Sequence, residues 1–456
     1  MNIFSEHPKP KVKVGILFLK RKRAGFMPEW GEYIERSVRE QLATSEFDIF
    51  IPEDRIVDSP SLLTAMKKCD SNSCQVLVIL QTTMSDGRMA PVLGRHASAP
   101  VVFWATPEKQ DGDMISACSL VGAHTFAATL AQTGHVFEFV YGMPGERQTI
   151  EDFTSAVYRS FACSAIRSSN AGLVGYHAPG FIDMHVAPYS MQADLNVELF
   201  HIGMHEFIDN VHAVSDEAAR NDLNEMRQLG LKCSDDISDA DLLLSSKYYL
   251  SMKELMDNMR LSSLGLRDWP ELSAVQWPYL AMARLASEGY AVACEGDVDG
   301  ALSCLIGTAS GCGACYLSDW LEHDESHITL WHGGAAPFQL CQGVDDEVFP
   351  KISRHFNNKQ PAVVDATLKS GISITLFRLW HLNGKYMFTA IEGETVKPGR
   401  HLMGTNGGGR FDNVNVKDYF QRMIRSGFPH HPVICEGHVK DHLYKLMNNL
   451  KVDCVD

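Results

Sequence analysis

Apolar and polar positions along the first third of the chain follow two periods in alternation. Short continuous apolar runs, VKVGILFL, FDIFIP, VLVIL and VVFWA, read as buried strands, because a strand covered on both faces has no polar side to show. Between them, EWGEYIERSVREQL and the stretch around LLTAMKK repeat their apolar residues every three to four positions, the period of a helix packed along one stripe. Strand and helix in alternation predict a parallel sheet with helices on both faces. The pattern restarts at Asn170, where AGLVGYHAPG gives a strand ending in a turn with glycine and proline, and VELFHIGMHEFIDNV continues as strand and helix. Helices rich in Met, Leu and Asp over 215–260, then PYLAMARLASEG and YAVACE, extend this into a second open α/β unit.

From about Ile328 the texture changes to strand-type alternation, in HITLWHGG and GISITLFRLWHLNGKYMFTAIEGE. Asn383-Gly384 between two such runs marks a two-residue hairpin turn, since both residue types accept positive φ. A third, mostly β region is predicted, closed by the amphipathic helix HVKDHLYKLMNNLKVD. The expected division is therefore 1–165, 166–335 and 336–456, with the first joint in the helix-like stretch from Phe153 to Ser169. The glycine-rich run Gly404 to Arg410 lacks the strand-to-helix setting of a phosphate loop and is expected to be a flexible turn.

Composition narrows the class. The 456 residues suffice for two or three cores, and with 45% apolar and 21% charged residues the chain reads as a soluble globular protein. A net charge of −15 argues against nucleic acid as a partner, because an acidic surface repels phosphates. No apolar run approaches the roughly 20 residues needed to cross a bilayer, and the N-terminus has no export-type segment, so a cytoplasmic protein without a membrane partner is expected. The 12 cysteines are scattered, and the CxxC pair Cys312 and Cys315 has no second pair to complete a zinc site.

Candidate chemistry gathers at ACEGDVDG. Glu295, Asp297 and Asp299 stand where a buried strand ends and the helix GALSCLIGTAS begins, and in open α/β sheets ligands collect at carboxyl ends of strands. Burying one carboxylate without a partner is costly, so a cation is expected to compensate. A calcium loop would place a bidentate Glu at its twelfth position, but counting from Glu295 that position holds Ile306. Helix capping is the alternative role for Asp297 and Asp299. Asp319 in ACYLSDW is a second strand-end acid, expected beside Glu295 at the tip of a neighbouring strand, where one carboxylate takes a proton and the other delivers it. His332 in LWHGG and the pair His430-His431 in GFPHHP add candidate metal ligands. Such an oxygen-rich set with one or two imidazoles suits Mn²⁺ better than a thiolate-seeking ion.

Taken together, VILQTTMSDGRMA, VVFWATPE, SLVGAHTFAATL, FEFVYGMPG, GLVGYHAPGFID, ACEGDVDGALSCLIG, LWHGGAAP and GFPHHP resemble the L-fucose/L-arabinose isomerase superfamily, above all its shorter fucose-isomerase-like members. The resemblance covers most of the chain. It implies an α/β fold of two Rossmann-like open parallel-sheet domains followed by a C-terminal β-rich, barrel-like domain. It implies aldose–ketose isomerisation by proton transfer between C1 and C2 through an enediol, with Mn²⁺ or another divalent ion such as Co²⁺ or Mg²⁺. It maps the two catalytic, metal-binding acids onto Glu295 and Asp319 and the metal histidine onto His430 or His431, and it leaves His332 as ligand or substrate contact. It also implies a homo-oligomer, trimer or hexamer, in which Arg88 and His124, with Asp86, reach a neighbour's substrate. Apart from the resemblance, the glycine-rich turn borders the site and offers Asn406 or Arg410 as a candidate sugar contact.

Family membership defines the chemistry better than the sugar. Lys20-Arg21-Lys22-Arg23 follows the first strand directly in an otherwise acidic chain, and such a cluster, with Arg23 a candidate contact, could hold a sulfonate as in sulfoquinovose, or a phosphate. Expected substrates are thus L-fucose, L-arabinose, D-arabinose or sulfoquinovose. The alternatives are a non-catalytic sugar-binding protein and a metal-dependent epimerase or hydrolase using the same acids.

Overall fold

The structure, a computed structural model, describes residues 3–22, 25–344 and 350–456. These form two compact units, one of residues 10–165 and one of residues 1–9 and 166–456.

The unit of residues 10–165 holds strands β1 (Lys13–Leu19), β2 (Asp48–Phe50), β3 (Val76–Gln81), β4 (Val101–Ala105) and β5 (Phe137–Tyr141) in one parallel sheet of order β2-β1-β3-β4-β5. The continuous apolar runs are explained by two cores, one on each face. Val14, Ile16 and Phe18 of β1 pack with Ile34 and Val38 of the helix Pro28–Leu42, whereas Leu17 and Leu19, pointing the opposite way, pack with Leu62, Met66, Leu93 and Phe126 from three other helices. Successive strand side chains point to opposite faces, so only an unbroken apolar run serves both cores.

In the other unit a second parallel sheet has the order β10-β9-β6-β7, from β6 (Asn170–Val174), β7 (Glu198–Ile202), β9 (Ser263–Leu266) and β10 (Ala291–Ala293). The two-residue strand β8 (Lys232–Cys233) belongs instead to a twelve-stranded mixed sheet. That sheet comprises, besides β8, β11 (Cys315–Leu317), β12 (Asp319–His323), β13 (His327–His332), β14 (Cys341–Gln342), β15 (Lys351–Ser353), β16 (Val363–Leu368), β17 (Ser373–Leu382), β18 (Lys385–Val396), β19 (Thr405–Arg410), β20 (Val433–Glu436) and β21 (Asp453–Cys454). The expected joint at 335 falls inside this unit, between β13 and β14 of one sheet. The helix Val298–Ala309 packs against β9 and β10 on one side and β17 on the other, and the Ser303 hydroxyl accepts the Leu379 N–H at 3.0 Å.

The hairpin of β17 and β18 turns at Asn383 and Gly384, both with positive φ (51° and 82°), as the Asn-Gly signal predicts. The glycine run is a correction. Thr405–Arg410 is strand β19, paired with β13, β16 and β18. A Cβ on Gly407 would sit 2.7 Å from Leu368, and one on Gly408 2.6 Å from Val396, so the glycines admit neighbouring side chains flush against the strand rather than loosening a turn.

Candidate functional site

Glu295 sits just past the carboxyl end of β10 with φ at +60°, followed by Gly296 at +73°. A non-glycine residue in the left-handed region costs on the order of 1–3 kcal/mol and persists where the surroundings impose it. Here the Glu295 N–H donates to the Asp268 carboxylate at 2.8 Å, and at Gly296 a Cβ would lie 2.4 Å from the Tyr176 carbonyl oxygen. The turn leaves the Glu295 side chain largely buried, with Trp269 Nε1 3.4 Å from its Oε1.

Asp319 begins β12, in the mixed sheet. The two acids thus stand at the tips of strands from different sheets, not of neighbouring strands in one sheet, and the site bridges the two layers. Pairing explains its histidines. β11 runs antiparallel to β20 with Leu317 opposite Val433, and the ladder continues through Ser318 N–H to Pro432 C=O at 3.0 Å and Trp320 N–H to His430 C=O at 3.2 Å. That register sets His431 across from Asp319.

His431 is fully buried, with Nε2 3.4 Å from Glu295 Oε2 and 3.5 Å from Asp319 Oδ1. His430 Nε2 lies farther off, 3.8 Å and 3.9 Å from the same two acids. His332, buried at the end of β13, joins Glu295 and His431 in one group of side chains spaced to hold a metal ion, while Asp319, His430 and His431 form another. His431 is common to both.

Each imidazole is oriented from behind. His431 Nδ1 lies 2.9 Å from Asp297 Oδ2, and a carboxylate can only accept, so Nδ1 carries the hydrogen and Nε2 presents its lone pair to the acids. His430 Nδ1 lies 2.7 Å from Asp183 Oδ2, which also accepts the His430 N–H at 3.1 Å. His332 Nδ1 accepts the Gly333 N–H at 2.8 Å, leaving Nε2 3.2 Å from Cys294 Sγ. Such backing of ligand imidazoles by carboxylates is the arrangement that tunes metal-binding histidines.

The cation expected to offset the ACEGDVDG carboxylates is in large part protein. Asp297 receives both terminal nitrogens of Arg378, at 2.8 Å and 2.7 Å, and caps the following helix through the Gly300 N–H at 2.8 Å. Asp299 accepts Tyr386 OH at 2.7 Å and lies 3.1 Å from His381 Nδ1. Among the described residues, the buried atoms without a hydrogen-bond partner include Glu295 Oε2, His430 Nε2 and His431 Nε2. Leaving each unsatisfied costs about 1–3 kcal/mol, and a divalent cation would satisfy Glu295 Oε2 and His431 Nε2 at once. The donor set fits such an ion.

The electrostatics agree with a polar, largely water-excluded centre. Burial works against ionising Glu295, but the neighbouring imidazoles, His430 above all and then His431 and His332, prevail and lower its pKa. Burial also opposes charge on His430, yet Asp183 and Glu295 raise its pKa to about 10. Burial, reinforced by the charge of Glu295, holds the Asp268 carboxyl above the usual carboxylate range. Burial and the surrounding carboxylates push the Cys294 thiol well above its usual range.

These groups open onto a cleft of about 550 Å³ walled by Phe181, Trp269, Trp277, Trp331 and Phe356. At its far side burial pushes the His355 imidazole down to about 4, and Asn358 is held by Trp277 Nε1 at 2.8 Å and by the Ser273 carbonyl at 2.8 Å. Aromatic planes beside a few oriented polar groups suit a small polyol, whose C–H faces are apolar and whose hydroxyls demand partners.

Of the other expected contacts, Asn406 is buried. Its Oδ1 accepts the Leu402 N–H at 3.2 Å and its Nδ2 donates to the Arg400 carbonyl at 3.2 Å, so its amide is spent on the loop before β19 rather than on a sugar. Arg88 is exposed and paired with Asp86 in the unit of residues 10–165, where His124 is an exposed position of the helix Ser119–Gln132. Arg23 lies outside the described residues. Sequence reasoning missed Asp183, Asp268, Arg378 and the aromatic walls. Arg378 carried a signal, a lone charge inside the apolar strand ITLFRLWHL, which demands a buried partner.

No protein-family model matches the chain. Among curated proteins it is similar to a sulfoquinovose isomerase of Priestia aryabhattai, 22% identical over 447 residues that cover 96% of this chain and 98% of that protein. It is similar to one of Alkalicoccus urumqiensis, 25% identical over 394 residues covering 83% and 85%. It is likewise similar to one of Clostridium sp. (strain MSTE9), 22% identical over 462 residues covering 98% and 99%. Similarity of this extent to several isomerases shows the chain to be an enzyme of the isomerase kind.

Proposed function

We propose that the enzyme is a divalent-metal-dependent aldose–ketose isomerase and that its substrate is sulfoquinovose. The observation that carries the reading is the convergence of Glu295, Asp319 and the unsatisfied Nε2 of His431 at the mouth of an aromatic cleft, in a chain similar over most of its length to sulfoquinovose isomerases. In this reading Glu295, Asp319 and His431 hold the cation, Mn²⁺ before Co²⁺ or Mg²⁺ by the chemistry of the donors. A bound cation would polarise the sugar's carbonyl and hydroxyl oxygens. Glu295 and Asp319 move the proton between C1 and C2, one accepting as the other donates, by way of an enediol. His430, oriented by Asp183, and His332 bind the sugar's oxygens, and the tryptophans cover its C–H faces.

The test is a panel of sulfoquinovose, L-fucose, L-arabinose and D-arabinose, read as ketose formation after dialysis against chelator and again after Mn²⁺ is restored. Metal-restored turnover of sulfoquinovose above the neutral sugars is expected. Full activity in metal-free protein would overturn the metal role, and preference for a neutral sugar would overturn the substrate.

A further inference from the structure

The unit of residues 10–165 has a built crevice that the isomerase site does not use. Its strand order, β2-β1-β3-β4-β5, reverses direction between β1 and β3, and the space outside the carboxyl ends of two such strands is where open α/β sheets bind ligands. A cavity of about 450 Å³ opens there. One wall is Lys20, Arg21 and Lys22, directly after β1; another is Thr82 and Thr83, directly after β3; Arg55 closes a third. Arg21 is tied across the crevice, its N–H donating to Thr83 Oγ1 at 2.9 Å.

The charges are arranged unequally. Lys20 is offset by Glu35 and Lys22 by Asp58, each at 2.7 Å, whereas among the described residues neither Arg21 nor Arg55 is ion-paired. Among the described lining residues Glu32 is the one acid. The helix Pro28–Leu42 starts at the same cavity with no side chain capping its first turn, and the positive end of its dipole adds to the cationic field. In a chain of net charge −15, two unneutralised guanidinium groups at a winding switch point are a feature to be explained. Guanidinium forks match the oxygens of tetrahedral anions.

We propose that this crevice binds a tetrahedral oxyanion carried by a small molecule, a sulfonate or a phosphate monoester, with Arg21 and Arg55 as the gripping groups and the Thr82–Thr83 segment as the opposite wall. Two sources share that chemistry: the anionic substituent of the enzyme's own substrate, which rests on the reading above, and a free anionic metabolite.

The experiment is calorimetric titration of the full chain with sodium sulfate against sodium chloride of matched ionic strength. Wild type should bind sulfate, and Arg21→Gln with Arg55→Gln should weaken binding by about tenfold or more, while Lys67→Gln, an exposed cation outside the crevice, should leave it unchanged. Should the double variant lose its circular-dichroism melt, Arg55→Gln alone, at an exposed position, carries the test. No binding by wild type up to about 10 mM, or equal binding by variant and wild type, overturns the site. Sulfate is then added to wild-type turnover of sulfoquinovose. Competition assigns the crevice to the substrate's sulfonate, and binding without competition assigns it to a free anion. If no sugar is turned over, the isomerase reading falls and the binding result still stands.

Discussion

Replacing Asp297 by asparagine removes one charge and almost no volume, yet it should disturb both stability and metal affinity. The carboxylate is fully buried, as is Arg378 at 1% exposure, and it accepts four hydrogen bonds, from two nitrogens of Arg378, the Gly300 N–H and His431 Nδ1. In the variant the one remaining oxygen can still serve Arg378 Nη2 and Gly300, but the amide NH₂ now faces Arg378 Nη1, donor against donor. The loss of two charge-assisted bonds at about 1.5–3 kcal/mol each agrees with the about 3–5 kcal/mol that breaking one side of a buried ion pair costs. The second effect is on the tautomer. An amide at this place donates to His431 Nδ1, moves the imidazole hydrogen to Nε2, and turns the lone pair away from Glu295 and Asp319. Loss of such backing weakens metal binding by about 10–100-fold. Urea unfolding of the metal-free protein measures the first effect, and calorimetric Mn²⁺ titration the second. A destabilisation below about 1 kcal/mol together with unchanged Mn²⁺ affinity would refute the reasoning.

Glu295→Gln should keep the melting profile of the metal-free protein and lower turnover by about a thousandfold or more, since both proton transfer and a cation ligand are lost; a variant within tenfold of wild type would remove Glu295 from the chemistry. Glu295→Gly should instead raise the unfolding free energy of the metal-free protein in urea by about 1 kcal/mol, because the left-handed conformation no longer opposes a Cβ; an unchanged or lower value would show that no strain is held there. Gly407→Ala in β19 should destabilise by about 1–3 kcal/mol, because its Cβ would meet Leu368 at 2.7 Å, and wild-type stability would mean that the strand yields easily. Chelation should lower the melting temperature as well as activity, since a ligand held by the folded state alone stabilises it, and coincident melts with and without Mn²⁺ would count against a cation site.

Much of the fold was legible because burial on both faces writes itself as unbroken apolar runs, and because Asn383-Gly384 can satisfy one turn geometry readily. β19 was not, since glycine has no strand preference of its own; only the nearness of Leu368, Val396 and Phe411 makes it the residue that fits. At the site, sequence singled out Glu295, Asp319 and the histidine pair because carboxylates and imidazoles at strand ends are costly without a purpose. It could not choose between His430 and His431, whose difference lies in the β11–β20 register and in which carboxylate stands behind each ring. The expectation that ACEGDVDG needs a cation overlooked Arg378, Tyr386 and His381, which approach from strands some 80 to 90 positions later.

That distance has a bearing on how the enzyme is made. The site draws on positions 183, 295, 319 and 431, so during synthesis on the ribosome the nascent chain can complete the sheet bearing Glu295 long before His431 exists. Until β20 docks beside β11, Glu295 and Asp319 lack the imidazoles of His430 and His431, and the half-built centre holds its carboxylates without those partners. Contacts of such long sequence separation form late, and partly folded chains of this size expose surfaces that aggregate. Arg378 is synthesised between the two halves, so the buried partner of Asp297 exists in the chain before His431 does.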